Sequence, residues 1–441
     1  MVCNFTQTRT SYIVYVTFGK IKKGIGCMNS ADNTQLLQTQ WNLQGLSYAR
    51  EINAQLTYME AHGLHDWEKP APADNRNEMA LEVLSLLKKA NREGTIDSFR
   101  AAYPPAHAPF TNIIQKQGQN IENLCTINEN TIAFVIGSAY EKRSAYVITN
   151  RNIEKLPDSI QAIGRSHQNN VYAIAKTNSI TTHHNWGGKK IAEFKLPLAS
   201  PLPISQLIPF NDGLSVLLIS SEGIYLLTSN GHSMIHPIAD PEDKDWYSYI
   251  HMEHAALSFD NNFIAVGDQT SAHRILNHAG QHIATIDPQS AYPHYALFSK
   301  DGQQVLLNSC HVYNGATISV PIAGMPDVHT GVHRHTIIDK CRRVYAGVAT
   351  SDQYIFGDAA GHIQAFDKEG KKCWHYFVGS TITSMTISDD EKTLWVASCS
   401  GMIHKLKLNE GQRDNHTIGN GNHYEEFRVI FWKNEPQPLV W

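Results

Sequence analysis

Histidines are frequent in this chain and are concentrated in short loops of two kinds. The sequence holds 23 histidines among 441 residues. Three loops that lead into repeated segments read DWYSYIHMEH (245–254), SAYPHY (290–295) and DVHTGVHRH (327–335). Three loops inside the same segments read GDQTSAH (267–273), NSCH (308–311) and GDAAGH (357–362). Imidazoles, carboxylates and a thiol can bind a divalent metal or transfer protons near neutral pH. These loops are the first candidates for chemistry.

The recurrence of both loop types in three successive segments predicts that their side chains meet on one sector of one face. The predicted polar site comprises His254, Asp268, Gln269, His273, Asn308, Cys310, His311, His333, His335 and Asp358. No H-E-x-x-H motif, cysteine pair or glycine-rich phosphate loop accompanies them, so the sequence identifies no metal. One hypothesis is therefore a metal or catalytic site. The other is that these residues hold the loops in place, with His254 bonded to Asp268 and the His333 and His335 region bonded to Asp358.

Aromatic residues in the same loops predict a surface that binds a partner. Tryptophan and tyrosine contribute much of the binding energy at protein interfaces. The predicted partner-binding residues are Trp246, Tyr247, Tyr249, His251, Tyr292 and His294. The alternative for the aromatic loop is simple packing onto the rest of the protein.

Charge and composition limit the classes of partner and compartment. The formal net charge is −4, from 37 basic and 41 acidic residues, which argues against a nucleic-acid or membrane-surface partner. The seven cysteines form no C-x-x-C pair, which favours a reducing compartment. The early apolar run 12–18 is too short to span a bilayer and has its lysines on the wrong side for a signal peptide. We expect a cytoplasmic protein.

The elements that position these loops are short β-strands in a repeat. Five hairpins share one template, in which a small residue and an apolar alternation precede a turn about Gly or Asn: 179–191, 222–235, 272–283, 361–374 and 401–412. Each follows another pair of apolar runs, as in ALSFDNNFIAVGD (256–268). The unit of four strands in about 35–50 residues recurs about seven times, which is typical of a β-propeller. The predicted fold is all-β: a seven-bladed β-propeller of four-stranded antiparallel blades with an N-terminal α-helical extension.

Residues 119–441 resemble a WD40-like or quinoprotein-like bacterial β-propeller repeat protein in the texture of their blades. The segment AFDKEGKKCW (365–374) is similar to the A-x-D-x-x-x-G-K-x-x-W docking motif of quinoprotein blades, but it is one residue short and occurs once. The Trp-Asp dipeptide that ends true WD40 blades is absent. The resemblance implies a fold, and we expect no cofactor.

Three regions are predicted along the chain. Residues 1–27 are interpreted as a non-native or disordered segment, because codons for KKGIGC would resemble a bacterial ribosome-binding site before Met28. Residues 28–110 form a helical extension, with a first apolar face at Leu43, Leu46, Ile52, Leu56 and Met59 and a second at Ala80, Leu81, Leu84 and Leu87. Residues 119–441 form the propeller, closed by the C-terminal tail through the apolar run 429–432.

The first functional hypothesis is a non-enzymatic scaffold that binds another protein through one rim of the propeller. The alternative is a metal-dependent hydrolase or lyase with a His-rich site at the mouth of the central channel.

Overall fold

The computed structural model describes residues 30–62, 72–197, 202–239, 242, 248–312, 314–323, 325, 335–411 and 414–441, with side chains from residue 33 onward. Residues 1–27, interpreted above as non-native or disordered, lie outside this part of the chain. The described residues form seven antiparallel sheets and a helical extension.

Each sheet is built from consecutive strands and forms one blade. Blade 1 contains β1 (Ile121–Asn128), β2 (Thr131–Ile136), β3 (Ser144–Thr149) and β4 (Asn152–Lys155). Blade 2 contains β5 (Ile160–Arg165), β6 (Val171–Lys176), β7 (Ser179–His184) and β8 (Lys190–Lys195). Blade 3 contains β9 (Ile204–Pro209), β10 (Ser215–Ser220), β11 (Gly223–Thr228) and β12 (Gly231–His236). Blade 4 contains β13 (His254–Leu257), β14 (Phe263–Gly267), β15 (His273–Asn277) and β16 (His282–Ile286).

The remaining three blades complete the ring. Blade 5 contains β17 (Tyr292–Phe298), β18 (Gln304–His311), β19 (Asn314–Pro321) and β20 (Thr336–Asp339). Blade 6 contains β21 (Val344–Ala349), β22 (Gln353–Asp358), β23 (His362–Asp367) and β24 (Lys372–Phe377). Blade 7 contains β25 (Ile382–Ile387), β26 (Thr393–Ser398), β27 (Met402–Lys407), β28 (Tyr424–Ile430) and a fifth short strand, β29 (Leu439–Val440). The innermost strands β1 and β25 contact each other, which closes the ring. The seven-bladed propeller predicted from the repeat is confirmed.

Blades stack because their second strands are apolar on both faces. Every residue of β2 and β26 is buried, and such continuous apolar runs are expected for strands covered from both sides. One core cluster joins Ile208 and Leu217 of blade 3 to Ile264 and Val266 of blade 4. A single four-stranded blade cannot cover its own faces, so the ring is the unit of stability.

The turn between the first two strands of several blades uses one side-chain device. In blades 4, 5 and 7 a serine hydroxyl donates to an aspartate two residues later, at 2.6 Å for Ser258, 2.7 Å for Ser299 and 2.5 Å for Ser388. The same hydroxyl accepts a main-chain N–H five residues on, at 2.9 Å in each case. This local bonding explains why an S-x-D turn follows the first strand of these blades.

The helical extension comprises α1 (Ser30–His62), α2 (Ala80–Glu93), α3 (Ile96–Ala102), α4 (Thr111–Gln117) and two 3₁₀ turns, Asn75–Met79 and Ala108–Phe110. The buried apolar side chains of α1 are those of Leu37, Trp41 and Ala49, whereas Leu43, placed on the apolar face from the sequence, is 62% exposed. That face prediction is wrong at Leu43 because Trp41, at the centre of the actual stripe, was left out of it. No helix in the described ranges is long and apolar enough to cross a membrane.

The extension has no separate core, because its apolar side chains pack on blade 7. Trp41 and Phe110 share one cluster with Ile430, Trp432 and Trp441 of the C-terminal tail. Strand β28, in the tail, pairs with β27 as the fourth strand of the blade. The side-chain amide of Asn91 on α2 pairs with the main chain of Val440, donating at 2.9 Å and accepting at 2.8 Å. The extension therefore covers the outer edge of the last blade.

Candidate functional site

The direction of the strands decides which loops share a face. In each blade, the connection from the preceding blade and the loop between strands two and three open on one face, here called the upper face. The other loops open on the lower face. Strands β19 and β20 are consecutive within blade 5, so His335, immediately before β20, lies at the lower face. His333 lies outside the described residues. The prediction that the whole segment 327–335 joins two blades is wrong, because β20 was not recognised as a strand.

The true connection from blade 5 to blade 6 is residues 340–343, which carry two arginines. Arg342 donates to Asp358 at 2.5 Å, and two main-chain N–H groups, of Ala360 and His362, also bond to this carboxylate at 2.9 Å. Asp358 is buried. Arginine thus occupies the place that the sequence interpretation had given to the histidines of 327–335.

Two predicted histidines form a buried chain of hydrogen bonds between blades 4 and 5. His254 Nδ1 donates to the carbonyl oxygen of Met252 at 3.0 Å, which leaves its Nε2 to accept from His273 Nδ1 at 3.3 Å. His273 Nε2 then accepts from the Ser309 hydroxyl at 3.2 Å. Burial lowers the pKa of His254 to about 4 and that of His273 well below its usual value. Both rings are therefore neutral at pH 7 with every nitrogen bonded.

Asp268 has a different partner from the predicted one. Its carboxylate accepts from His236 Nε2 at 2.7 Å, across the boundary between blades 3 and 4, and both side chains are 3% exposed. The predicted His254–Asp268 bond is wrong. Burial would raise the pKa of Asp268, but hydrogen bonds from His236 and from Thr270 outweigh it and hold the pKa at about 2. Gln269 contributes its main-chain N–H, which donates to the carbonyl of His251 at 2.8 Å.

Asn308 and Cys310 are buried parts of β18. The amide of Asn308 donates to the carbonyl of Arg342 at 2.9 Å and accepts from the N–H of Val344 at 3.1 Å, so it ties blade 5 to blade 6. Burial raises the pKa of the Cys310 thiol, with Arg343 acting in the opposite direction. A buried thiol with a raised pKa is a poor nucleophile.

Arg343 organises the upper face between blades 4, 5 and 6, a role that the sequence interpretation missed. Its Nε and Nη2 both lie 3.1 Å from His294 Nε2, and Nη1 donates to the carbonyl of Val312 at 2.9 Å. The guanidinium also lies 4.8 Å from the centre of the Tyr345 ring, within range of a cation–π interaction. Burial and then Arg343 lower the pKa of His294 to about 3, so this imidazole accepts rather than donates toward the arginine. The position of Arg343 in the connection between blades 5 and 6 is the feature of the sequence that could have indicated this role.

These contacts place the predicted polar residues of blades 4 to 6, apart from His335, on one sector of the upper face, but they do not converge on a single point. Within the described ranges, no group of three or more His, Cys, Asp or Glu side chains is arranged to hold a metal ion. Five of the predicted residues are buried, and their hydrogen bonds hold the loops together: His254, Asp268, His273, Asn308 and Asp358. His311, at the end of β18, and His335, immediately before β20, are exposed.

Exposed apolar side chains lie on loops of the same upper face. Tyr249, from the predicted set, is 39% exposed and stands edge-on to His251, with ring centres 4.9 Å apart. Tyr140 (66% exposed), Ile238 (66%) and Val312 (58%) were not predicted. Tyr292 is half-buried at the start of β17. Trp246 and Tyr247 lie outside the described residues.

The central channel opens between these loops and encloses a cavity of about 820 Å³. At its upper end Glu122 pairs with Arg143 at 2.5 Å, and Glu253 accepts a hydrogen bond from the Ser205 hydroxyl. Burial raises the pKa of Glu122, against the effect of Arg143, and burial also raises the pKa of Glu253. The channel mouth is therefore acidic but partly neutralised.

The fold and its two sets of loops define a seven-bladed β-propeller. The chain is similar in structure to the β-propeller domain of Cps50 (Swd1) from Myceliophteria thermophila, with a TM-score of 0.48 and 10% sequence identity over 63% of this chain and 93% of that chain. It is also similar to the hydrazine synthase of Kuenenia stuttgartiensis, with a TM-score of 0.41 and 12% identity over 56% of this chain and 75% of that one. No protein-family model and no curated protein matches the sequence. The likeness concerns the fold alone.

Proposed function

We propose that this protein is a non-enzymatic, cytoplasmic scaffold that binds another protein through the upper face of its propeller. The observation that carries the proposal is the placement of Tyr140, Ile238, Tyr249 and Val312. All four are exposed, and all four lie on loops of that one face. Exposed aromatic and aliphatic side chains grouped on one surface are typical of protein interaction sites.

The loop that presents Tyr140 is held rigidly. Arg143, whose side chain is 2% exposed, crosses from blade 1 and donates to the carbonyls of Gln161 at 2.9 Å and Ile204 at 2.6 Å. It also pairs with Glu122. A loop fixed to three blades loses little conformational freedom on binding, which favours affinity.

The alternative, a metal-dependent hydrolase or lyase, requires convergent groups that are free to react. The hydrogen bonds of His254, His273 and Asp268 commit these groups to loop structure instead. Their lowered pKa values leave the two histidines neutral and the carboxylate ionised with its partners in place. This arrangement supports the scaffold over the enzyme.

The experiment is affinity capture followed by quantitative mass spectrometry, with purified wild type and a Tyr140→Ala/Tyr249→Ala variant. Loss of two hot-spot side chains at about 2 kcal/mol each, about 4 kcal/mol together, predicts a complex with the captured protein that is weaker by roughly a thousandfold. The matched control is Leu214→Ala/Ile337→Ala, which removes two equally exposed apolar side chains away from the upper face.

Equal recovery of the partner by wild type and the tyrosine variant would refute the upper face as the binding surface. Elemental analysis of the same preparations tests the alternative function. One transition metal per chain that is lost in a folded His254→Ala variant would favour the enzyme.

A further inference from the structure

A second cavity, of about 330 Å³, lies between the helical extension and blades 6 and 7. It is lined by α1 and the 3₁₀ turn at Asn75–Met79 on one side, and by the end of β24, the 414–418 loop and β28 on the other. The volume falls at the lower end of the range for small-molecule sites. This cavity is separate from the channel and from the upper face.

Arg76 is the main reason to regard this cavity as a binding site. The side chain is 5% exposed and pairs with Asp74 through Nε at 2.8 Å and Nη2 at 2.7 Å. Its third nitrogen, Nη1, is buried and has no hydrogen-bond partner among the described residues. An unsatisfied buried guanidinium nitrogen is costly, so an acceptor is missing at this point of the cavity.

Other polar groups that line the cavity also have capacity to spare. His107 Nε2 is buried without a partner in the described part of the chain. Burial and then the charge of Arg428 lower the pKa of His107 to about 3, so the ring is neutral. Arg428 reaches the Ala106 carbonyl through Nη1 only at 3.3 Å. The Tyr376 hydroxyl lies within the field of Glu425 and Arg428, and burial is the main cause of its raised pKa.

The carboxylates of the cavity are already used. Asp74 is held by Arg76, and Asp414 by His416 at 3.1 Å. Glu425 accepts from Arg428 at 2.8 Å and from His404 at 2.7 Å. Among the described residues of the wall, the buried nitrogens without a partner are Arg76 Nη1, which is a cationic donor, and Nε2 of the neutral His107.

We propose that this cavity binds a small oxyanion, the carboxylate or phosphate group of a metabolite, with Arg76 as its principal ligand. Planar guanidinium groups bind both kinds of oxyanion. The bound group completes the hydrogen bonding of Arg76 and lies at the seam between the extension and the ring. Occupancy therefore strengthens the attachment of the extension to blades 6 and 7.

Gly45 on α1 is consistent with a site built around Arg76. A Cβ at this position would lie 2.5 Å from Arg76 Nη1. Glycine within a helix is unfavourable relative to alanine. Here the absence of a Cβ leaves room for Nη1 of the guanidinium against α1 while its other two nitrogens bond Asp74.

The test is calorimetric and thermal titration of the full chain with inorganic phosphate and, separately, with succinate at constant ionic strength. We expect saturable binding of at least one anion and a rise in the unfolding temperature. Binding of phosphate alone identifies a phosphate ligand, and binding of succinate alone identifies a carboxylate ligand. Absence of saturable binding of both would overturn the proposal.

Two variants connect the binding to Arg76. Arg76→Lys keeps a cation for Asp74 but loses the spare nitrogen, and Asp74→Asn/Arg76→Gln removes the buried pair together so that neither charge is left alone. We expect each to bind the anion at least tenfold more weakly. The matched control, Arg50→Gln, removes an exposed arginine of α1 and should bind as wild type. Undiminished binding by a folded Arg76→Lys would show that the anion lies elsewhere.

Discussion

Buried neutral histidines should make this protein unusually sensitive to mild acid. Burial lowers the pKa of His254 and that of His423 from 6.5 to about 4, and their exposed fractions are only 6% and 2%. The unfolded chain binds protons at these groups below pH 6.5, whereas the folded protein does not until about pH 4. Their contribution to stability is therefore intact above pH 6.5 and is lost as the pH falls toward 4.

The size of the effect follows from the two pKa values. At pH 5 each group is about 1.5 pH units below its unfolded pKa, which corresponds to about 2 kcal/mol of lost stability. The pair then accounts for about 4 kcal/mol, a large part of a typical folding free energy. His273 acts in the same direction. Glu122 and Glu253, whose pKa values burial raises, oppose it at pH values just above 4.5.

The assay is urea denaturation followed by circular dichroism at pH 7.5, 6.5, 5.5 and 5.0. Wild type should lose stability by about 1.4 kcal/mol per pH unit for each buried histidine below pH 6.5. A His254→Asn variant should be less stable at pH 7.5 but should show a slope that is smaller by one such group. The control is Ile264→Val, a buried change in the same blade that costs about 1 kcal/mol and carries no titrating group.

A flat profile between pH 7.5 and 5.0 would refute the reasoning. The reasoning would also be refuted if the free energy of unfolding of His254→Asn depended on pH with the same slope as that of wild type and of Ile264→Val. Either result would mean that these rings are protonated inside the folded protein.

Three further predictions follow from single contacts. Trp441→Ala should lower the free energy of unfolding by about 3–5 kcal/mol in urea denaturation, because the ring is fully buried against Trp41 and its Nε1 donates to a carbonyl at 2.9 Å; a loss below about 1 kcal/mol would mean that the tail does not hold the extension. Asn308→Ala should cost about 2–4 kcal/mol by the same measurement, since it leaves the main chain of Arg342 and Val344 unsatisfied, and a neutral result would contradict its bridging role. Asp268→Asn should lower the free energy of unfolding by about 2 kcal/mol at neutral pH. Wild type loses the same stability only as the pH falls from 3.8 through about 2, and equal acid profiles for the two proteins would contradict the paired state of this carboxylate.

The blades were predictable because their information is local. Apolar alternation, a polar turn and a second apolar run lie within about fifteen residues, and the turn itself is held by neighbours such as Ser258 and Asp260. The strand β20 was not recognised in the sequence, because it has only four residues, includes the 45%-exposed Ile337 and is separated from β19 by a long stretch of sequence. That one omission assigned His335 to the wrong face.

The candidate site was only partly predictable because its partners are distant in the sequence. The bond from His236 to Asp268 joins residues that are 32 positions apart and in different blades. Arg343 contacts His294, 49 positions away. Local sequence patterns do not identify pairs of residues that are distant in the chain. The adjacent arginines Arg342 and Arg343 also fit an exposed surface, so their types alone do not predict contacts between blades.

The shared core between the extension and blade 7 limits how this protein can be recombined. Blades 2 to 6 present similar apolar faces to similar neighbours, so one of them could be exchanged as a cassette between related propellers. Blade 7 differs, because Trp432 and Trp441 fit against Trp41 and Phe110 rather than against another sheet. A chimaera that replaces the last blade must therefore bring its own helices, because the helical extension and blade 7 share one core.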